Sequence, residues 1–161
     1  MEENIQLINF IELSEEEKEM VLKWRNDSEI RKWMYNQEEI KLFEHLDFIE
    51  NLKSRKDKLY FLVKKNSEFI GVIDFTQIIE NESLYMGIYT NPETKGKGRI
   101  LLSEIINYSF NVLKVKEIYS EVYLENNKAY ELYKLYKFKD ISNKYINNKE
   151  VICMELKNEN R

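Results

Sequence analysis

Thr90-Asn91-Pro92-Glu93-Thr94-Lys95-Gly96-Lys97-Gly98-Arg99 runs straight into Ile100-Leu101-Leu102-Ser103-Glu104-Ile105-Ile106, and the reading of that junction decides the fold. The chain has four glycines and one proline, and this stretch takes the proline and two of the glycines. Glycine permits a sharp turn and a close approach of backbone to ligand, and a helical apolar pattern begins directly afterwards. A strand, a glycine loop and a helix N-terminus with unpartnered N–H groups make an anion cradle. The G-x-x-x-x-G-K-[ST] pattern of a P-loop is absent, and Leu101 stands where a dinucleotide fingerprint needs a third small residue. What remains is K-G-x-G at a strand-to-helix turn, read here as holding the pyrophosphate of a nucleotide-containing cofactor. Glycines that serve only the geometry of an ordinary turn are the competing reading.

The 161 residues suit one domain, 1–161, with no linker or internal repeat. A net charge of -4 argues against nucleic acid as the main partner. Cys153 is the single cysteine, which excludes an intrachain disulfide and a Cys-based zinc centre, and no other metal site is expected. Its neighbours Val151, Ile152 and Met154 make it an inert core residue by this reading. No run of about 18 apolar residues exists, so no membrane span is expected. The acidic Met1-Glu2-Glu3-Asn4 start lacks a signal-peptide core, and a cytoplasmic location follows.

Around the loop, periodicity places the elements. Ile5–Ile11 reads as a strand. Ser14-Glu15-Glu16-Glu17 is a capping box opening a helix whose Met20, Val21 and Trp24 share a face. Asp27 or Ser28 caps a short second helix carrying Ile30, Trp33 and Met34. A third helix, Glu38–Lys53, lines up Leu42, His45, Leu46 and Ile49. Strands at Leu59–Lys64, Glu68–Thr76 and Ser83–Thr90 form an antiparallel meander, the first two joined by a hairpin at Lys65-Asn66-Ser67. After the glycine loop come a helix from Gly98 to Leu113, a strand Ile118–Leu124 and a helix Asn126–Tyr136. Two strands near Phe138–Ile141 and Glu150–Leu156, turning at Asn147-Asn148, close the chain. Seven strands with helical crossovers imply an α+β fold of three-layer α/β type, a mixed sheet with helices on both faces. The strands either side of the Gly98 helix should be parallel.

Asn126-Asn127-Lys128-Ala129-Tyr130-Glu131-Leu132-Tyr133-Lys134-Leu135-Tyr136-Lys137-Phe138 resembles the N-x-x-A-x-x-L-Y-x-x-x-G-F segment of GCN5-related N-acetyltransferases, the GNAT superfamily. Asn126, Ala129, Leu132, Tyr133 and Phe138 match, and Lys137 departs where the family often has glycine. The loop resembles the family's Q/R-x-x-G-x-G/A motif through Gly96 and Gly98, with Glu93 in place of Gln or Arg. The order of elements resembles that fold from end to end.

The resemblance implies acetyl-CoA as the co-substrate. Its pyrophosphate would sit on backbone N–H groups of Lys95, Gly96, Lys97, Gly98 and Arg99, and its pantetheine arm between splayed fourth and fifth strands, lined by Gly87, Ile88 and Tyr89. Asn126 belongs to the same cofactor-binding set. A backbone N–H near Tyr89 would stabilise the oxyanion, and Tyr133 would protonate the departing thiolate. Tyr133 as a core aromatic spaced with Ala129 and Tyr136 is the alternative. Glu121, a carboxylate in the strand Tyr119–Tyr123, is taken as the base, and Asp74 invites the same argument; each can equally be a solvated strand residue.

Trp24-Arg25-Asn26, Trp33-Met34-Tyr35 and Phe43–Ile49, with Gly71–Phe75 and Gly87–Tyr89, resemble the nucleotide-sugar acetyltransferases of the pseudaminic acid pathway that serves flagellin glycosylation. That resemblance implies a UDP-linked 4-amino-4,6-dideoxy sugar as acceptor, UDP-4-amino-4,6-dideoxy-N-acetyl-β-L-altrosamine. The acceptor side would comprise Arg25, Asn26, Met34, Tyr35, His45, Asp74 and Thr76, although His45, the lone histidine on a helix's apolar stripe, equally reads as a satisfied core or rim residue. Arg25 would pair with the diphosphate, and Met34 and Tyr35 would pack on the uridine. Trp24 and Trp33 read as packing residues. A homodimer is the expected assembly. Two other functions share the fold: a ribosomal-protein or other protein N-terminal acetyltransferase, and a non-catalytic acyl-CoA-binding module that has no need of Tyr133.

Overall fold

In the computed structural model, which describes residues 4–160, alternation along the strands sets up two apolar faces of one sheet. The expectations for Met1, Glu2 and Glu3 lie outside the described residues. Seven strands, β1 (Ile5–Asn9), β2 (Leu59–Lys65), β3 (Glu68–Ile79), β4 (Ser83–Thr90), β5 (Glu117–Tyr123), β6 (Lys139–Ile146) and β7 (Lys149–Lys157), lie in the order β1-β2-β3-β4-β5-β7-β6. Every neighbouring pair is antiparallel except β4 and β5. On β2, Phe61 and Val63 face a core built with Ile73, Phe75, Leu84, Leu101 and Ile105, while Leu62 faces the opposite core with Phe10, Val21, Trp24, Ile49 and Val72. The second face carries helices α1 (Glu15–Asn26), α2 (Ser28–Arg31) and α3 (Leu42–Leu52); the first carries α4 (Gly98–Asn107) and α5 (Asn127–Leu135).

The capping box at α1 is formed, with Ser14 Oγ accepting from Glu17 N–H at 3.1 Å and Glu17 Oε1 accepting from Ser14 N–H at 2.9 Å. Several boundaries differ from expectation for local reasons. The first strand stops at Asn9, whose side chain accepts from Ile11 N–H and starts a 3-10 turn that buries Phe10. The third helix begins at Leu42, not Glu38, because Asn26 holds Ile40 in extended backbone: Ile40 N–H donates to Asn26 Oδ1 at 2.8 Å, and Asn26 Nδ2 donates to Ile40 C=O at 2.9 Å. The helix after the glycine loop finishes in a π-helical turn, Tyr108–Val112. The hairpin residues Asn66, Ser67, Asn147 and Asn148 all take positive φ, the twist a two-residue hairpin needs, and the second hairpin extends β6 to Ile146. Cys153 is half-buried and lies beside Glu121 across the β5–β7 ladder, not in the core.

Candidate active site

The parallel pairing of β4 with β5 covers only Ser83–Tyr85 against Glu117–Tyr119, after which the two strands part. The edge of β4 from Met86 to Thr90 therefore carries backbone groups with no strand partner toward β5. A cleft of about 540 Å³ opens in the gap, walled by Met86–Thr90, Thr94–Gly98, Glu121–Tyr123 and the α5 residues Ala129, Leu132 and Tyr133. It continues over the second face to Arg25, Trp33, Met34, Tyr60 and Asp74.

At the donor end, Gly96 takes φ +72°, a left-handed conformation that side chains disfavour, and a Cβ there would meet open space. Gly98 serves a different purpose: a Cβ on it would stand 3.1 Å from Leu132 Cδ2, so it lets α5 close on α4. The N-cap of α4, Lys97, has no side-chain cap, so the N–H groups of the first turn face the cleft unpartnered. This cradle of free amides fits a pyrophosphate, which it would hold through Lys95–Arg99. Of the three basic side chains there, Lys97 is engaged with Glu68 at 3.5 Å, and the exposed Arg99 does not line the cleft. Lys128 lines it instead, a residue that its sequence neighbours do not single out.

Asn126 caps α5, its Oδ1 accepting from Ala129 N–H, and so fixes the helix that carries Tyr133. Tyr133 is buried against Phe138 with ring centroids 5.9 Å apart, yet it also lines the cleft, so one side chain serves both the core and the cleft wall. Burial, and then the charge of Asp74, push its phenol up to about 12. α5 ends in a Schellman turn in which Lys137 takes φ +78°: Phe138 N–H donates to Tyr133 C=O and Lys137 N–H to Lys134 C=O, each at 3.0 Å. That is the position where glycine was the expected residue.

The acceptor end gathers five separate segments. Arg25 reaches from α1, with Nη2 donating to Asn36 C=O at 3.0 Å and Nη1 buried without a partner. Met34 lines the cleft, and Tyr35 donates to Glu121 Oε1 at 2.5 Å. Lys144 of β6 donates to Glu121 Oε2 at 2.9 Å. Glu121 is thus occupied at both oxygens, an ion-paired residue of the cleft wall. Asn147, at the β6–β7 turn, donates to Tyr35 C=O at 3.0 Å and to the Tyr123 hydroxyl at 2.9 Å. The loop bearing Met34 and Tyr35 is therefore latched to the far edge of the sheet. Asp74 sits on β3 opposite Gly87 of β4, and burial pushes its carboxyl up to about 7 against the weaker pull of Lys58.

Three expected acceptor residues do different work. His45 is buried at 5% exposure away from the cleft, its Nε2 2.9 Å from Lys18 C=O, tying α3 to α1. Asn26 spends its side chain on Ile40, as described above. Thr76 lies beyond the cleft lining, paired with Tyr85. Trp33 joins the lining, its ring 6.4 Å from that of Tyr123, where packing alone was expected.

A sheet that parts over an amide-lined helix start, with a buried tyrosine opposite, is the frame of a coenzyme A-dependent N-acetyltransferase. The chain belongs to the acetyltransferase (GNAT) family, whose domain model matches residues 8–139. It is similar to Acetyltransferase PseH of Campylobacter jejuni, at 42% identity over 129 residues, 80% of this chain and 81% of that one. The crystal structure of C. jejuni N-acetyltransferase PseH in complex with acetyl coenzyme A superposes with a TM-score of 0.81 at 35% identity, covering 96% of this chain and 99% of that one. The spermidine N-acetyltransferase of Vibrio cholerae, solved with CoA and spermine, has a TM-score of 0.86 at 21% identity over 98% of this chain and 96% of that one, a likeness of fold.

Proposed function

We propose that this acetyltransferase moves the acetyl group of acetyl-CoA to the 4-amino group of UDP-4-amino-4,6-dideoxy-N-acetyl-β-L-altrosamine, a step toward pseudaminic acid. The observation that carries this reading is the likeness to PseH, in sequence over 80% of the chain and in fold over 96% of it. The wall has a mixed polarity suited to a nucleotide sugar. Arg25 brings a guanidinium with an unpartnered Nη1, matched to phosphate oxygens. Met34, Tyr35 and Trp33 offer apolar and aromatic surface. A polyamine acceptor, as in the V. cholerae relative, calls for several uncompensated carboxylates, whereas of the two that line this cleft Glu121 is paired with Lys144 and Asp74 alone stands unpaired. An N-terminal peptide acceptor calls for an open groove, and the latched Met34–Tyr35 loop closes that side.

In this reading Lys95–Arg99 hold the pyrophosphate, the free edge of β4 near Tyr89 meets the pantetheine and acetyl groups, and Tyr133 protonates the thiolate leaving group. A phenol held near 12 keeps its proton in the resting enzyme, so donation depends on positioning. We assign the reaction to the cytoplasm; among the described residues no helix is long and apolar enough to cross a membrane. A homodimer is the assembly we assign, measured by sedimentation of the purified protein. The deciding assay offers acetyl-CoA with the UDP-4-amino sugar, a peptide panel and spermidine. Acetylated sugar is the expected product; turnover of peptide or spermidine without it overturns the acceptor.

A further inference from the structure

We propose that Asp74, and not Glu121, removes the proton from the acceptor ammonium, and that Gly87 exists as glycine to leave room for its carboxylate. The proposal rests on acetyl transfer to an amine as read above, whichever amine that is.

Two carboxylates reach the cleft, and their surroundings differ. Glu121 is committed at both oxygens, to the Tyr35 hydroxyl at 2.5 Å and the Lys144 ammonium at 2.9 Å. Among the described residues no hydrogen bond or ion pair reaches the Asp74 carboxylate. It lies on β3, whose partner across the ladder is Gly87 at the point where β4 leaves β5. A Cβ on Gly87 would fall 2.6 Å from Asp74 Oδ1 and nearer still to Oδ2. The carboxylate therefore occupies the volume a side chain on β4 would fill, beside the strand edge that receives the acetyl group. The groups facing it are Tyr60 and Lys58 from β2 and its approach, Tyr89 from β4 and Tyr133 from α5, with Arg25 of α1 facing Tyr60 and Tyr89 rather than the carboxylate. Its charge raises the phenols of Tyr60, Tyr89 and Tyr133, which places it within electrostatic reach of the acid.

The proton balance follows. The ammonium N–H breaks and an O–H forms on Asp74, leaving a neutral amine. Its lone pair forms the N–C bond to the thioester carbon, and the C–S bond breaks. The Tyr133 proton passes to sulfur, and the second amine proton returns to the Tyr133 oxygen through water. Asp74 then releases its proton to solvent, so the net products are amide, thiol and one proton. Neutralising Asp74 in the first step also withdraws a charge that holds the Tyr133 proton, so the base primes the acid.

The test uses whichever amine the wild-type enzyme turns over, so a wrong acceptor and a wrong base are read separately. Asp74→Asn is expected to lower kcat at pH 7 about 100-fold or more, with acetyl-CoA Kd and acceptor KM within about twofold. The deficit should shrink at pH 9, where the amine loses its proton unaided. Glu121→Gln, which loosens the cleft wall, should raise acceptor KM but leave the pH at which kcat rises where it stands in the wild type, and Gly87→Ala should lower kcat. In the free enzyme, without any substrate, the Asp74 carboxyl carbon should titrate near neutral pH by NMR, its signal assigned by loss in Asp74→Asn. Full kcat in Asp74→Asn or Gly87→Ala, loss of the profile in Glu121→Gln, or titration of Asp74 in the ordinary aspartate range would each overturn the assignment.

Discussion

The Tyr35 hydroxyl donates to Glu121 Oε1 at 2.5 Å across 86 residues of sequence, joining the loop after α2 to the middle of β5. In the proposed reading this contact makes Glu121 a positioning residue for the acceptor wall. Tyr35→Phe removes one charge-assisted bond at a half-exposed site, a loss of about 1 kcal/mol. Acceptor KM is expected to rise about fivefold with acetyl-CoA KM unchanged, as steady-state kinetics with each substrate varied will read.

Lys137 occupies the left-handed position of the Schellman turn that ends α5. A side chain there costs about 1 kcal/mol that glycine does not incur. Lys137→Gly should therefore raise stability in urea unfolding by ~0.5–1 kcal/mol, without moving kcat.

Gly96 has the opposite sign. Alanine at φ +72° meets no steric neighbour but strains the backbone of the cradle. Acetyl-CoA Kd, measured by calorimetry, should weaken about fivefold to tenfold for ~1–1.5 kcal/mol of strain, with acceptor KM little affected.

Tyr133→Phe keeps the ring packed on Phe138 and deletes only the hydroxyl. A fall in kcat of about 100-fold or more is expected, with Tm within about 2 °C of wild type. Wild-type kcat in this variant removes Tyr133 from the chemistry.

Asp74 also carries a stability signature. Its folded pKa, about 7, lies above the value of an unfolded aspartate, so between about pH 4 and pH 7 the folded state binds more protons than the unfolded one. Stability is therefore lost as pH rises through that window. Asp74→Asn should be more stable than wild type at pH 8, by about 2 kcal/mol or ~5 °C in Tm, and the gap should close near pH 4. Thermal melts of the two proteins across this range check the sign.

The donor half of the site was legible because its signals are local. A glycine that must take positive φ, a helix start with nothing to cap it, and an N-x-x-A-x-x-L-Y run all lie within a turn or two of what they organise. The capping box of α1 and both asparagine hairpins are legible for the same reason. The start of α3 was not, because Asn26, 14 residues upstream, captures Ile40 by side chain.

The amino-acid sequence by itself determined the order of elements, the parallel pair that must part, the cradle at Lys95–Arg99 and the tyrosine facing it. Only the tertiary structure decided which carboxylate is paired and which is left unpaired in the cleft. Alternation assigns Asp74 and Glu121 to faces of their strands but says nothing of what stands across from them. Lys144 and Tyr35 come to Glu121 from β6 and the α2 loop, and Gly87 comes to Asp74 through β3–β4 register. One carboxylate is ion-paired and the other desolvated by partners distant in sequence, and no local pattern of residues records who those partners are.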